Sequence, residues 1–478
     1  MQLRKWIYGI SIAAGLLGSF SCSKLTDEHN KIDSGDLKNS LFDKILITPD
    51  LSLFAKYLKE TDYYRLLSAS GNYTVFAPSN AALATLDPAI VADTAKLRKF
   101  LGNHIAYQLY RTTDVNTPTR IAMVNGKYLN MLQKKIDDAN ITSADNYAAN
   151  GLLQITDKLL PYLDNGWEFL STPNAPVKQS AYMLSLFQKV FDTTHAVVIG
   201  IDPNTGAPIY QAGTDSVFTN LFWNKVYDLR DEKKQFTFFM LTDPAWDAEV
   251  IKYNPYFSTT STDSTKKASS WAVVSDFAAE GVYDPATVPD TILSKFNTKV
   301  PVTRNQIVKT VKVSNGIVFI MSRIDVQPAS KFKPIIIEGE NYSATSHDRR
   351  NNTYFRDRFN PLTGQDFRDV LVFNHGVALF NIRYDITEVP SIKYKAYWVA
   401  LNDFQATTHM QRLAIGSAIA ATFPYTTVTL NNFSEAYIGE FTMPGYRPVF
   451  NIYLVGANSG TSSVNPLVCD YIKLVPSF

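Results

Sequence analysis

The ten residues Thr74–Leu83, TVFAPSNAAL, decide the fold of the first third of this chain. Val75–Ala77 predict a short buried strand that Pro78 stops, and Ser79 or Asn80 then caps a helix. The proline break and the capping side chain account for the backbone groups that such a junction leaves unpaired. This stretch therefore predicts a strand that leads directly into a helix.

Two further stretches belong with the first. Residues 150–161, NGLLQITDKLLP, predict a turn with positive φ at Asn150-Gly151 and then a half-buried strand. Between the two lie residues 97–105, LRKFLGNHI, which include His104. Upstream, residues 51–58 predict a helix whose apolar side chains face a core.

Together these motifs resemble those of fasciclin-type domains, over residues 38–163. The resemblance implies an α+β fold and extracellular adhesion or protein–protein contact. It also implies that His104 serves internal hydrogen bonding. The residues of the resemblance, all expected to be structural, are Thr74, Phe76, Pro78, Asn80, His104, Asn150 and Gly151.

The same patterns return in the same order further along the chain. Residues 184–191 resemble the helix of residues 51–58, residues 235–246 resemble the opening motif, and residues 315–320 resemble the Asn-Gly motif. We therefore expect residues 164–330 to form a second, divergent fasciclin-type domain.

The second copy departs from the first in three places. Lys299 is expected where the first copy has His104, and residues 192–234 form an insertion with a hairpin tip at 202–208. Residues 258–270, mostly Ser and Thr, predict a surface loop. Long insertions carry recognition in some proteins, and insertions without a function are an open alternative here.

The amino terminus, residues 1–22, has a basic pair, a short apolar run and small residues before Cys22. This layout is typical of a secretory signal and resembles a bacterial lipobox, which implies lipidation of Cys22. The alternative is a non-cleaved anchor helix. Residues 23–37 read as a polar tether. We expect a surface-exposed outer-membrane lipoprotein whose only membrane contact is its lipid anchor.

From residue 331 onward, short apolar runs alternate with turn residues, which predicts a β-sandwich over 331–478. Residues 336–342, 380–386 and 470–476 resemble strands of galactose-binding-like, jelly-roll carbohydrate-binding modules. The predicted fold class is therefore multidomain α+β: two fasciclin-type domains followed by an all-β jelly-roll sandwich.

Resemblance to those modules implies a structural calcium site at Glu338, Glu340 and Asp470. Carboxylate oxygens in neighbouring strands suit Ca²⁺, which accepts six to eight oxygen ligands. The competing interpretation is that they are exposed carboxylates of edge strands. No other cofactor is expected.

Glycan binding needs aromatic faces and polar side chains that hold hydroxyl groups. A polar–aromatic loop is predicted after the first strand of the sandwich, with a turn at 374–376. The candidate binding residues are Arg349, Tyr354, Arg356 and Asn374. Aromatic residues are frequent in this chain, so each single one has packing as its alternative role.

Composition excludes several classes of protein. A net charge of +2 without a basic stripe argues against a nucleic-acid partner. Two cysteines, Cys22 and Cys469, cannot build a disulfide framework, and Cys469 reads as a buried apolar side chain. The six histidines lack metal-ligand spacing, and no nucleophile or phosphate-loop motif is present. We therefore expect no enzymatic activity.

Three functions remain, in decreasing order of support. The first is a non-catalytic surface lipoprotein for glycan binding or adhesion, within an outer-membrane glycan-capture system. The second is an envelope scaffold whose fasciclin domains bind a protein partner. The third is a glycan hydrolase with an unrecognised pair of carboxylates.

Overall fold

The structure is a computed structural model that describes residues 38–478. The predicted signal peptide, with Cys22, and the predicted tether 23–37 lie outside the described residues. The chain divides into two compact units. Unit 1 runs to Glu168 and includes the segments 229–235 and 312–316, and unit 2 comprises residues 169–228, 236–311 and 317–478.

The first part of unit 1 is a helical layer packed on one sheet. Its helices are α1 (Leu41–Ile47), α2 (Ser52–Glu60), α3 (Tyr63–Ser68), α4 (Asn80–Leu83), α5 (Pro88–Val91) and α6 (Thr94–Gly102). Its strands are β1 (Tyr73–Pro78), β2 (Ile105–Tyr107), β3 (Thr119–Ala122), β4 (Tyr128–Leu132), β5 (Lys135–Ile136), β6 (Ala139–Ala148) and β7 (Gly151–Thr156). The strand order is β2-β1-β7-β6-β5-β4-β3, with β1 parallel to β7.

Strand β1 separates two hydrophobic clusters because successive side chains of a strand point to opposite faces. Val75 and Ala77 pack with the helices, including the buried stripe of α2. Phe76 packs on the other side, among side chains of β3 to β6. Both faces of this strand are therefore buried, as the residues Val75–Ala77 predict.

The opening motif fixes the strand–helix junction through side chains. Ser79 caps α4, since its hydroxyl accepts from the backbone N–H of Ala82 at 3.2 Å. Asn80 serves a different purpose: its Oδ1 accepts from the N–H of Leu53 at 3.0 Å and its Nδ2 donates to the carbonyl of Pro49. Asn80 thus ties the start of α2 to the end of β1.

Gly151 is required for a reason other than the predicted one. Its φ is not in the positive region, so the expected positive-φ turn at Asn150-Gly151 is wrong. A Cβ atom at position 151 would lie 2.1 Å from the carbonyl oxygen of Tyr73 on the parallel neighbour β1. Only glycine permits that close approach of the two backbones.

Lys127 joins the parts of unit 1. Only 5% of its side chain is exposed, and its Nζ lies 2.7 Å from Glu168 and 2.6 Å from Glu232. Ser314 Oγ lies 3.2 Å from the same Nζ. The two carboxylates offset part of the cost of removing this cation from water, and the contacts of Lys127 connect the segments 229–235 and 312–316 to the first sheet.

The next part of the chain, in order, has these helices: α7 (Val177–Leu184), α8 (Leu221–Lys225), α9 (Asp243–Tyr253), α10 (Thr262–Val274) and α11 (Pro328–Lys331). The strands are β8 (Phe187–Phe191), β9 (Val198–Ile201), β10 (Pro208–Tyr210), β11 (Ser216–Asn220), β12 (Phe236–Leu241), β13 (Ala278–Glu280), β14 (Thr291–Leu293), β15 (Lys299–Pro301), β16 (Ile307–Val313) and β17 (Gly316–Met321). A central sheet has the order β13-β12-β17-β16.

This part repeats the hydrogen bonds of the first. Thr74 Oγ1 donates to the carbonyl of Gln108 and accepts from the N–H of Tyr110. Thr237 Oγ1 donates to the carbonyl of Gly281 and accepts from the N–H of Tyr283. The pairings β1–β2 and β12–β13 have the same antiparallel register around these two threonines.

The repeat corrects three sequence expectations. The position equivalent to His104 is Phe277, whose carbonyl accepts from Phe239 as that of His104 accepts from Phe76, so Lys299, on β15, is not the counterpart. Residues 184–191 are not a helix, because α7 ends at Leu184 and β8 follows. Residues 258–270 are not a loop throughout, because α10 begins at Thr262 with Ser261 as its cap.

The insertion between α7 and α8 forms an extended two-stranded arm, residues 187–220. Strand β8 pairs with β11, and β9 pairs with β10 beyond it. The turn Asp202–Ala207 closes the tip, so the predicted hairpin tip is confirmed.

The last part of unit 2 is all β, which confirms the predicted sandwich. Its strands are β18 (Ile335–Glu338), β19 (Ala344–Thr345), β20 (Thr353–Asn360), β21 (Gln365–Val372), β22 (Asn381–Val389), β23 (Lys393–Val399), β24 (His409–Ile415), β25 (Thr426–Val428), β26 (Ala436–Thr442), β27 (Arg447–Gly456), β28 (Leu467–Cys469) and β29 (Tyr471–Ser477). They form sheets β18-β29-β23-β26, β19-β22-β27-β24-β25 and β20-β21-β28. Tyr384, Trp398 and Cys469 are buried in the core.

An aromatic cluster connects the sandwich to the preceding part of unit 2. The ring of Phe332 lies 5.3 Å from that of Tyr256 and 6.0 Å from that of Phe478. Phe257 contacts Tyr446 at 5.3 Å between ring centroids. Apolar packing of this kind resists separation of the two parts. The predicted boundaries 38–163, 164–330 and 331–478 stay a prediction.

Candidate functional site

The polar–aromatic stretch after the first strand of the sandwich is a hairpin. The expected loop is limited to a short 3-10 helix at Arg350–Asn352, after which β20 pairs with β21 along its whole length. Tyr354 and Arg356 therefore lie in a strand. Because side chains alternate along it, the hairpin has an inner face with Arg356 and an outer face with Phe355 and Phe359.

Arg356 is built into the inner face and is only 9% exposed. Its Nε donates to Asp369 Oδ1 at 2.8 Å, Nη2 donates to Asp369 Oδ2, and Nη1 donates to Asp403. The two carboxylates hold the pKa of the guanidinium above its usual value despite burial, while burial raises the pKa of Asp369. With its donors engaged inside the protein, Arg356 is a packing residue, which corrects its assignment as a sugar ligand.

Tyr354 shares the strand face of Arg356 at the other end of the hairpin. Its side chain is 46% exposed, and it lies opposite Leu371 in β21. Tyr354 thus remains accessible, whereas Arg356 does not.

The outer face of the hairpin presents exposed aromatic rings. Phe355 is 45% exposed and Phe359 is 56% exposed. The ring of Tyr342 stacks on Phe355 with centroids 6.3 Å apart and planes 14° apart, and the guanidinium of Arg368 lies 5.7 Å from the Phe355 centroid. Asp357 lies opposite Arg368. A flat apolar surface flanked by charged hydrogen-bonding groups is therefore available.

Towards the turn of the hairpin, an open cavity of about 630 Å³ adjoins this face. Its lining consists of Asp357, Arg358, Phe359, Asp366, Phe367 and Arg368. The lining combines two aromatic rings with acidic and basic groups, which is the mixture that polar ligands with apolar faces require.

The structure brings Arg349 and Asn374 together on adjoining loops. Arg349 Nε donates to the carbonyl of His375 at 3.0 Å, and Asn352 donates to the carbonyl of Asn374 at 2.9 Å. Asn374 has a positive φ of 60°, and its Oδ1 accepts from Ser462 at 2.7 Å. These contacts fix the loops against one another at the end of the sandwich where β20 begins.

Glu338, Glu340 and Asp470 form an acidic cluster beside the paired strands β18 and β29. Burial, and then repulsion by Glu338, Asp369 and Glu340, raises the pKa of Asp470 to about 7. Burial and the charge of Glu340 raise the pKa of Glu338. The backbone N–H of the intervening Gly339 donates to the Asp470 carbonyl at 2.5 Å.

The fit of this cluster to calcium is mixed. Glu340 Oε2 is buried and has no hydrogen-bond partner among the described residues. A carboxylate oxygen of this kind could bind a cation. However, over residues 38–478 no group of three or more His, Cys, Asp and Glu side chains is arranged to hold a metal ion. The calcium site stays a prediction that rests on electrostatics and not on ligand geometry.

His104 is fully buried and hydrogen-bonded on both sides of its ring. Nδ1 lies 2.9 Å from the carbonyl of Phe100, and Nε2 accepts from the N–H of Leu160 at 3.1 Å. This pair of contacts requires the neutral ring with its proton on Nδ1. Burial lowers the pKa of His104 to about 4. The two hydrogen bonds of the neutral ring connect α6 to the segment after β7.

Phe359 was missed as a candidate by reasoning from sequence, and Phe355 was included only as a member of the predicted polar–aromatic loop. Their alternation with Arg356 and Arg358 was the available signal, since aromatic and charged residues at period two indicate a strand. The stretch reads as a loop because its charged positions are too frequent for an ordinary half-buried strand.

Comparisons with known proteins support the fold of the first part. Residues 49–162 match the family model described as Fasciclin domain. The Synechocystis protein sll1483 is 31% identical over 113 residues, which are 22% of this chain and 62% of that protein. The chain therefore spans about three fifths of the curated relative it matches.

Solved structures give weaker likenesses. A FAS1 domain pair from the insect cell adhesion molecule fasciclin I has 13% identity and a TM-score of 0.25, covering 59% of this chain and 99% of that one. A family 6 carbohydrate-binding module has 14% identity and a TM-score of 0.21, covering 30% of this chain and 94% of that one. These likenesses do not locate a site on this chain.

Within residues 38–478, none of the helices has the length and apolar character needed to cross a bilayer.

Proposed function

We propose that this chain is a non-catalytic surface protein that binds glycans, with the outer face of the β20–β21 hairpin as its binding surface. The observation that carries the proposal is the exposed ring of Phe355, on which the half-buried Tyr342 stacks, with the exposed Phe359 further along the same strand face. Sugar rings present C–H faces that pack on aromatic rings, and Asp357 and Arg368 are placed to hold hydroxyl groups.

Arg349, Asn374 and Tyr354 form the second part of the proposed surface. Arg349 and Asn374 lie where the hairpin begins, on loops held by the contacts of Asn352 and Ser462, and Tyr354 lies beside them at the start of β20, on the strand face of Arg356. Loops fixed in this way lose little entropy when they bind a ligand. A glycan chain that runs along the hairpin would meet aromatic rings first and these polar groups at the end of the sandwich.

The rest of the chain supports an adhesion role. The Fasciclin domain match at 49–162 agrees with extracellular contact, and the repeated threonine hydrogen bonds favour a second, divergent fasciclin-type domain at 164–330. Lipidation of Cys22 and an outer-membrane position within a glycan-capture system complete the proposal. An envelope scaffold that binds a protein through the fasciclin-type domains is the alternative, and a hydrolase is the least supported.

The test is binding of the full chain to an immobilised glycan panel. Phe355→Ala and Phe359→Ala should each weaken retention on the bound glycan about tenfold or more, because each removes one aromatic contact. Phe296→Ala is the matched control, since Phe296 is 46% exposed in unit 2 away from the hairpin. Unchanged retention in both hairpin variants would remove the outer face from the site. No retention of the wild-type chain on any glycan would favour the scaffold.

A further inference from the structure

The arm of residues 187–220 has many exposed large apolar side chains. Nine large apolar side chains of the arm are exposed, and among them Phe191, Ile199, Ile201 and Phe218 are each between 64% and 69% exposed. Scattered exposed apolar side chains are normal, but a contiguous set on one element marks an interaction surface.

The area matches what a stable interface needs. At about 150–200 Å² for each fully exposed large side chain, the exposed fractions of the nine residues correspond to roughly 800 Å². This total, which the two faces of the arm share because side chains alternate along each strand, compares with the roughly 800 Å² that one partner contributes to a standard-size protein interface.

The outer edges of the arm's strands are also unpaired. Strands β8 and β11 form a two-stranded sheet, as do β9 and β10, and no other strand within residues 38–478 pairs with their outer edges. An isolated two-stranded ribbon is marginally stable in water, and open edges readily accept another strand. The base of the arm is anchored, because Phe187 stacks on Phe218 and contacts Trp223 edge-on.

We infer that the arm is a self-association surface, and that its occupant is the arm of a second copy of this chain. Two identical ribbons that pair antiparallel about a two-fold axis satisfy each other's open edge, and the contact closes after two copies. The charges of the arm disfavour a lipid surface, since Asp192, Asp202 and Asp215 outnumber Lys189 and anionic bilayers repel them.

The test is the mass of the purified full chain in solution, by sedimentation velocity and light scattering across the micromolar range. The expected result is a dimer. The double variant Ile199→Lys/Ile201→Lys should raise the dissociation constant of the dimer roughly a hundredfold or more. The reason is that it places two charged groups in an interface formed by apolar side chains. Ile251→Lys is the matched control, since Ile251 on α9 is 64% exposed, as Ile199 is, and it should leave the dimer intact.

A second variant guards against local misfolding. Residues 192–215 are replaced by Asn-Gly, which closes a tight hairpin between Phe191 and Ser216, already paired in the native arm. It should be monomeric with the melting temperature of the other parts unchanged. A wild-type chain that is monomeric throughout, or a dimer that survives both arm variants, overturns the inference. A monomeric Cys22→Ser chain that floats with phosphatidylcholine–phosphatidylglycerol vesicles, and no longer floats once the arm is replaced by Asn-Gly, also overturns it, in favour of a lipid surface.

Discussion

Asn150 and Asn315 make the same three hydrogen bonds at equivalent positions of the repeat. Asn150 Oδ1 accepts from the N–H of Leu41 at 2.7 Å, and its Nδ2 donates to two backbone carbonyls, those of Leu67 and Ala69. Asn315 Oδ1 accepts from Gly166 at 2.9 Å, and its Nδ2 donates to the carbonyls of Leu229 and Asp231. Each amide fastens the chain segment that enters its sheet.

Asn150→Ala should destabilise the chain by about 2–4 kcal/mol, because it leaves a buried N–H and two carbonyls without their partner. Asn150→Asp should cost at least as much, since it replaces a double donor by an acceptor that faces carbonyls. Denaturant unfolding measures both, with the exposed Asn116→Ala as control. A loss below about 0.5 kcal/mol for Asn150→Ala would contradict the role assigned to these bonds.

Arg356→Ala should lower stability by about 3–5 kcal/mol, because it leaves the fully buried Asp369 without its ion-pair partner. The double variant Arg356→Met/Asp369→Leu should recover most of that loss, since it removes both charges together. Thermal unfolding measures the difference. If Arg356→Ala kept its melting temperature and lost glycan retention, Arg356 would belong to the binding surface after all.

The pKa of His104 predicts a stability loss in mild acid. In the folded state the ring stays neutral down to about pH 4, whereas an unfolded histidine takes up a proton near pH 6.5. The unfolded state therefore binds more protons in that window, and stability should fall as pH drops from about 6.5 to 4. His104→Gln should flatten this part of the pH profile, measured as unfolding free energy at several pH values. An unchanged profile would show that another group is responsible.

Asp470 predicts the opposite slope. Its folded pKa of about 7 lies above the usual 3.8, so the folded state holds a proton that the unfolded state has lost. Stability from this group should therefore fall as pH rises from about 4 to 7. Asp470→Asn should be more stable than the wild type at pH 8 and no more stable at pH 4.

Calcium provides a separate test of the same cluster. If Ca²⁺ binds Glu338, Glu340 and Asp470, millimolar CaCl₂ at pH 8 should raise the melting temperature of the wild-type chain by several degrees. Magnesium is the control for ionic strength, and Asp470→Asn should lose the effect. Equal shifts with both cations, or none, would leave the cluster as a site of carboxylate repulsion only.

The parts of the fold that could be predicted from sequence are those with local signals. The strand of Val75–Ala77, the cap at Ser79 and the apolar stripe of α2 all depend on neighbours within a few residues. The β20–β21 hairpin could not be predicted in this way. The buried residue of β20 is Arg356, which is tolerated there because Asp369 lies opposite it on β21. The exposed residues are Phe355 and Phe359. A pattern that expects apolar residues inside and polar residues outside therefore does not find this strand.

The segment of residues 184–191 shows a second limit. Its apolar residues recur at intervals of three and four, which favours a helix. In the structure Phe187 stacks on Phe218 of the partner strand β11, and Phe191 contacts Tyr210. Those contacts join residues that are far apart in sequence, so a local pattern does not reveal them, and they stabilise the two-stranded arm instead of a helix.

The aromatic cluster around Phe332 sets how the sandwich would respond to force. A ligand that pulls on the hairpin would load the contacts of Phe332 with Tyr256 and Phe478, and of Phe257 with Tyr446, alongside the covalent link after α11. Removing the chain after residue 331 would expose the rings of Tyr256 and Phe257 to water, because their partners Phe332 and Tyr446 would be lost. The mechanical unit of this protein is therefore larger than its sandwich, and a tethered molecule should rupture there only after the aromatic contacts have separated.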